Sequence, residues 1–134
     1  MIYFATPYTH EDPAVREKRY REAVATTHRL TTTGHRIFSP IIATHDMVVS
    51  FNMAFWYKQW EGWCHDFISS SKFFLIGCME DWEASSGVNR ELEFAKSIGM
   101  SIRYLWREDL DMPDADLETF EFHDTPQSGT SWPV

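Results

Sequence analysis

At 134 residues the chain has the size of one domain, so one core and one fold are expected. It is 43% hydrophobic and 24% charged, a globular composition, and its 16% aromatics are high for so small a domain, which favours a filled core, a pocket for a flat ligand or an oligomer interface. The formal net charge of −8 argues against a nucleic-acid backbone as partner, because no basic face is present to release counterions, while a small anion held by local dipoles stays compatible.

Cys64 and Cys78 lie in apolar stretches without CxxC or Cys/His zinc spacing, and read as buried free thiols of a reducing compartment. No basic-then-apolar leader opens the chain and no apolar run is long enough to span a bilayer, so the expected location is the cytoplasm.

In chain order, Ile2-Tyr3-Phe4-Ala5 is a short apolar run stopped by Thr6-Pro7, the pattern of a buried strand. Asp12-Pro13 starts a helix, with Asp12 as cap and Pro13 at the first helical position; Ala23, Val24, Thr27 and Leu30 recur at helical spacing and Gly34 closes it. His35 to Ser39 reads as a weaker strand broken by Pro40, followed by a loop through His45 and Ser50. Met53, Trp56, Trp60, Trp63-Cys64 and Phe67 form the stripe of a second helix, and Phe73-Phe74-Leu75-Ile76 is the clearest buried strand. Ser85-Ser86-Gly87 opens a third helix that ends near Gly99, and Ser101 to Trp106 is a last strand. From Arg107 the chain is acidic and then rich in Ser, Thr and Pro, with a poor helical signal near Asp114 to Phe122; it is expected to be irregular or docked on a partner.

The alternation of strand and helix predicts one α/β domain over residues 1–106, with an extension over 107–134. The fold class is a flavodoxin- or Rossmann-like parallel sheet of four to five strands with helices on both faces. Ligands of such sheets bind at the carboxyl ends of the strands, which singles out Thr6–Glu11, Pro40–Phe51 and Gly77–Gly87.

On the third helix, Val88, Leu92, Ala95 and Ile98 fall in one arc at about 100° per residue, and Glu91 falls inside that arc instead of with Asn89, Arg90, Glu93 and Lys96. A carboxylate turned toward a core costs several kcal/mol unless it is partnered or opens into a pocket. Glu91 is therefore either a structural carboxylate held by a core hydroxyl or amide, or a nucleophile or general base. The Ser85-Ser86-Gly87 turn is an ordinary helix cap and equally an anion site with free amides. By periodicity Asp66 belongs to a solvated face, His45-Asp46 to a pocket rim or a surface loop, and the aromatic stripe to core or interface. The six histidines have no ligand spacing, so neither metal nor cofactor is expected.

Together these residues resemble the nucleoside 2-deoxyribosyltransferase superfamily over roughly residues 1 to 105, particularly its small bacterial and phage members. The opening through Ala5, Thr6, Pro7 and Tyr8 looks like the family's first strand and substrate loop, and Trp63 to Asp66 its Asp-bearing helix. Trp82-x-x-Ser85-x-Gly87-x-x-x-Glu91, then Phe94-Ala95 and Gly99, is similar to its active-site helix. The resemblance implies that Glu91 attacks the anomeric carbon, that Tyr3 hydrogen-bonds Glu91, and that Asp66 assists proton transfer near the departing base. It also implies substrate contacts from the first loop and from Ser85 and Gly87, with His45 at the rim.

Family members acting on nucleosides have Asp where this chain has Ser85, and the nucleotide-hydrolysing branch has Ser; that branch also carries an Arg in its first loop, where this chain has Tyr8-Thr9-His10. The leading expectation is an N-glycosidase for a nucleotide or deoxynucleoside 5′-monophosphate. Base exchange, a catalytically silent nucleotide binder and a nicotinamide-dinucleotide glycohydrolase stand as alternatives. Expected partners are a small nucleoside or nucleotide and further copies of the chain, a homodimer or larger, with no nucleic acid and no membrane.

Overall fold

A computed structural model describes residues 1–53, 57–110 and 121–127, apart from the side chains of 57–59. Four strands, β1 (Ile2–Ala5), β2 (Ile37–Phe38), β3 (Phe74–Gly77) and β4 (Ile102–Leu105), form one all-parallel sheet in the order β2-β1-β3-β4. The helices are α1 (Pro13–Thr32), α2 (Pro40–Ser50), α3 (Tyr57–Ser69), α4 (Ser86–Ser97) and α5 (Arg107–Leu110), with a 3₁₀ turn at Trp82–Ala84. The register sets Tyr3 opposite Phe38 on one side and Phe74 on the other, so the period-2 alternation sorts side chains cleanly between two faces.

Tyr3, Ala5, Phe74 and Ile76 face α3 and α4, where Cys64, Ile68, Val88 and Ala95 close one core. Ile2, Phe4, Leu75 and Leu105 face the other way, onto Leu30 of α1 and the partly buried Leu110 and Phe122. Both faces are covered, as a parallel sheet requires. Among the described residues no helix is long and apolar enough to cross a membrane.

The local signals explain most of the boundaries. Asp12 caps α1, its carboxylate accepting from Ala14 N at 2.9 Å, and Pro13 occupies the first turn. Gly34, at φ +92°, stops α1: its amide donates to Thr31 O and the amide of His35 reaches back to Leu30 O. β2 is shorter than the expected His35–Ser39, and β4 lacks the expected end residues Ser101 and Trp106.

The expected loop through His45 and Ser50 is instead helix α2. Ser39-Pro40 has the letters of a strand stop, but Ser39 caps the helix, its Oγ accepting from Ile42 N at 3.3 Å, and Pro40 sits where a missing amide costs nothing. Asn52, at φ +47°, ends it in the left-handed region that asparagine tolerates. Ile98 is not part of the buried arc of α4: the helix stops at Ser97, and Ile98 is exposed beyond it.

The expected helix near Asp114 to Phe122 lies largely outside the described residues, and Trp56 of the aromatic stripe lies outside them altogether. The described part of the extension docks on its own chain. His123 makes an antiparallel bridge to Tyr104 of β4, with amide–carbonyl bonds of 2.8 and 2.9 Å.

Candidate functional site

β1 and β3 are neighbours, but the helices that follow them, α1 and α4, cover opposite faces of the sheet, and a cavity of about 120 Å³ opens at the carboxyl ends of the strands near this point. Four chain segments wall it. Thr6, Tyr8 and Thr9 come from the loop after β1; Pro40, Ile41, Thr44 and Val48 come from α2; Ser85 to Val88, Arg90 and Glu91 come from the start of α4. Trp60 and Cys64 of α3 complete it.

Glu91 is the buried carboxylate of this cavity, 6% exposed. Tyr3, fully buried on β1, donates from its hydroxyl to Glu91 Oε1 at 2.8 Å. Desolvation pushes the Glu91 carboxyl up to about 7, against the pull of hydrogen bonds from Tyr3 and Cys64. Burial, and next the adjacent Glu91 charge, drives the Tyr3 phenol far above its ordinary range, so it stays a neutral donor. The same two causes push the Cys64 thiol up to about 12, so it too is protonated at neutral pH. Glu91 is thus a desolvated carboxylate near half-ionisation at neutral pH, aimed by two donors that do not titrate with it.

At the start of α4 Ser85 is the cap, its Oγ accepting from Val88 N at 3.3 Å. The amides of Ser86 and Gly87 are first-turn donors without acceptors inside the helix. A Cβ on Gly87 would meet nothing nearer than Ser85 Oγ at 4.0 Å, so the bare backbone there borders open cavity. Arg90 adds a cation to the same wall. Among the described residues the buried hydroxyl of Thr6 has no hydrogen-bond partner, and a ligand or water would relieve its cost.

The loop after β1 is pinned from α1: Arg16 donates to His10 O at 2.6 Å and Arg19 to Thr9 O at 2.9 Å. Among the described residues no group of three or more His, Cys, Asp or Glu side chains is arranged to hold a metal ion.

A family model described as a domain of unknown function (DUF1937) matches residues 1–108. The chain belongs to the DUF1937 family. The match takes in all four strands and every cavity residue, and stops inside α5. No curated protein matches the chain.

Of the residues singled out in this DUF1937 chain by sequence, Glu91, Thr6, Tyr8, Ser85 and Gly87 meet at the cavity, with Tyr3 behind Glu91. Ala5 and Pro7 are buried but do not line it. His45 is not on a surface loop: it is buried on α2, bonded through Nδ1 to the Tyr8 hydroxyl at 2.7 Å. Asp66 does not reach the cavity. It is exposed on α3, because the turn that buries Cys64 and Ile68 directs position 66 to solvent, as its periodicity alone indicates. Thr44, Cys64 and Arg90 were missed; Arg90 and Cys64 stand one and two positions from residues already singled out, while Thr44 was hidden by reading α2 as a loop.

Proposed function

We propose that this DUF1937 domain is an N-glycosidase for nucleoside 5′-monophosphates, working through a covalent glycosyl-enzyme on Glu91. The observation that carries the reading is the Glu91–Tyr3 pair: a desolvated carboxylate, held at 2.8 Å by a non-titrating phenol, facing a cavity at the carboxyl ends of parallel strands. A carboxylate stripped of water and held in line has the form of a carbon nucleophile in retaining glycoside chemistry. Glu91 would bond to the anomeric carbon as the base departs with the electrons of the C–N bond, and water would then release the sugar and restore the carboxylate.

The anion end supports a 5′-phosphate. Ser85 accepts from Val88 N, which leaves its own proton to donate; beside it stand the first-turn amides of α4 and Arg90. Arg90 supplies in this chain the cation that its first loop lacks. The resemblance to the nucleoside 2-deoxyribosyltransferase superfamily points to the same reaction through Glu91, Tyr3 and Ser85.

Incubation of the purified protein with ribo- and deoxyribonucleosides and their 5′-monophosphates, read as free base by chromatography, tests the reading. Release is expected from at least one monophosphate, and Glu91→Gln is expected to lower the rate by several orders of magnitude while the fold persists. Binding without release by the wild type would make the chain a silent nucleotide binder. Base exchange outpacing release would make it a transferase.

A further inference from the structure

A second set of polar contacts ends at a residue of the cavity wall. Tyr8 lines the cavity; its hydroxyl lies 2.7 Å from His45 Nδ1, and His45 Nε2 lies 2.9 Å from Glu17 Oε2. The three groups come from the loop after β1, from α2 and from α1, so the tertiary fold, not a local turn, aligns them. The imidazole is clamped: Tyr20 of α1 stacks on it at 3.8 Å and 12°, and the Tyr8 ring meets it edge-on at 89°. The His45 side chain is 5% exposed whereas that of Glu17 is 48% exposed, so the line runs from solvent through a buried ring to the ligand space.

We propose that Tyr8 is the acid and base of the cleavage, reloaded with protons through His45 and Glu17. This rests on the glycosidase reading above. Breaking the C–N bond leaves an electron pair on the base, which takes the Tyr8 proton as imidazolium His45 passes its Nδ1 proton to the Tyr8 oxygen. Glu17 balances the imidazolium at Nε2 beforehand. In the second half-reaction water attacks the anomeric carbon and the Glu91–sugar bond breaks with its electrons returning to the carboxylate. The water proton passes to Tyr8 as the Tyr8 proton returns to Nδ1, so the cycle closes on the starting protonation state.

Asp66 is exposed and away from the cavity, which leaves the proton role to a cavity group; Tyr8 is a wall residue that hydrogen bonds connect, through His45, to the half-exposed Glu17 carboxylate. Among the described residues, the charged and titratable groups next to the relay include Glu17, Arg16, Arg19, Arg21 and Tyr20 of α1, with exposed Asp46 following His45 on α2. Arg21 pairs with Glu17 at 3.0 Å and Arg19 donates to the Tyr8 carbonyl at 3.5 Å. Burial, first, raises the Tyr8 phenol, with Arg16 opposing and Glu17 reinforcing the shift, so it remains protonated until a stronger base or a departing anion demands the proton.

Two measurements test the relay. Wild type, Tyr8→Phe, His45→Gln and Glu17→Gln are assayed on nucleoside 5′-monophosphates and on 4-nitrophenyl ribofuranoside 5-phosphate and its 2-deoxy counterpart, whose nitrophenolate leaves without a proton. Loss of a general acid costs on the order of 10²–10⁴-fold. Tyr8→Phe is expected to fall at least about 100-fold further on the nucleotides than on the nitrophenyl compounds. His45→Gln and Glu17→Gln should show the same contrast, smaller. Equal losses on both substrate types would overturn the acid–base role.

Nitrogen-15 NMR of the His45 ring is read independently of turnover. Tyr8→Phe is expected to change the Nδ1 resonance and Glu17→Ala the Nε2 resonance, because each removes the hydrogen-bond partner of that nitrogen. Unmoved resonances would overturn the relay even in an active enzyme. Moved resonances in a protein that cleaves neither substrate type would overturn the glycosidase reading, and the catalytic role of Tyr8 with it.

Discussion

Glu91 carries a stability signature separate from any assay of turnover. Its carboxyl has an ordinary value of 4.5 and titrates at about 7 in the folded chain, so between these values the folded state holds the proton more tightly. Stability therefore falls as pH rises through this window; the penalty is absent below about 4.5, complete above about 7, and totals about 3 kcal/mol. Glu91→Gln keeps an oxygen for the Tyr3 hydroxyl and removes the charge. Urea unfolding at pH 5 and 8 is expected to show the wild type losing about 2–3 kcal/mol relative to the variant; parallel behaviour would mean that Glu91 is not desolvated. At the anion end, Ser85→Asp should weaken a 5′-monophosphate by on the order of tenfold or more, the worth of a charge-assisted hydrogen bond, and leave a nucleoside nearly unaffected. Calorimetric titration of both ligands checks this. Equal affinity of nucleoside and monophosphate for the wild type would reduce Ser85 to a helix cap. Glu91 was legible in the sequence because one acidic residue broke an apolar arc. The cavity residues Cys64 and Arg90 were not, because a thiol in an apolar stripe and an arginine on a polar face look ordinary until the chain brings them to one cavity.

At the scale of elements, two glycines separate folding from ligand space. Gly77 ends β3, where an added Cβ would stand 3.0 Å from the Phe4 ring and 3.1 Å from Thr6 Cγ2. Gly77→Ala should cost about 1–3 kcal/mol by overpacking, and should also displace the Thr6 wall of the cavity. Gly87→Ala is the converse. Its Cβ meets open space, and alanine favours a helix over glycine by up to about 1 kcal/mol, so the fold should be unharmed or firmer. A monophosphate should nevertheless bind at least about tenfold more weakly, because the methyl occupies the approach to the first-turn amides. Urea midpoints and calorimetry on the pair distinguish these outcomes, and equal ligand affinity in Gly87→Ala would remove the amides of α4 from the site. Strand and helix alternation was readable from apolar runs and caps, and gave the parallel sheet. The failure was α2: Ser39-Pro40 has the same letters whether it ends a strand or begins a helix, and here it does both within three residues. That choice hid Thr44 and Val48 and put His45 on a loop, so the relay to Tyr8 was invisible.

For the molecule as a whole, the open question of the sheet is its β4 edge, whose unpaired backbone invites association. The described extension covers it. Besides the Tyr104–His123 pair, Trp106 Nε1 donates to Thr125 O at 2.8 Å, and the Arg107 amide donates to Gln127 Oε1 at 2.8 Å. His123 lies 3.7 Å from the Trp106 ring, stacked on it, and 2.9 Å from Asp109 Oδ2, while Phe122 packs against Phe73 at 5.5 Å. The aromatic surplus expected to mark an interface is also partly accounted for within the chain, since Trp60, Trp63 and Phe67 lie against the core. Yet the family match ends at residue 108, before the clasp, and the two cores on either face of the sheet draw nearly all their side chains from within it. The clasp should therefore add stability to a fold that stands without it. Four hydrogen bonds, each with a backbone group at one end and about 1 kcal/mol apiece, with the partial burial of Phe122 at about 1–2 kcal/mol, bound its contribution near 3–6 kcal/mol, against the 5–15 kcal/mol typical of a whole domain. A chain ending at Leu110 should retain the wild-type circular dichroism, melt roughly 10–20 °C lower, and associate through β4 at concentrations where the full chain does not. Calorimetry and light scattering on the two chains check both halves; an unfolded truncation would make residues 121–127 part of the core, and an equally stable one would make the clasp incidental.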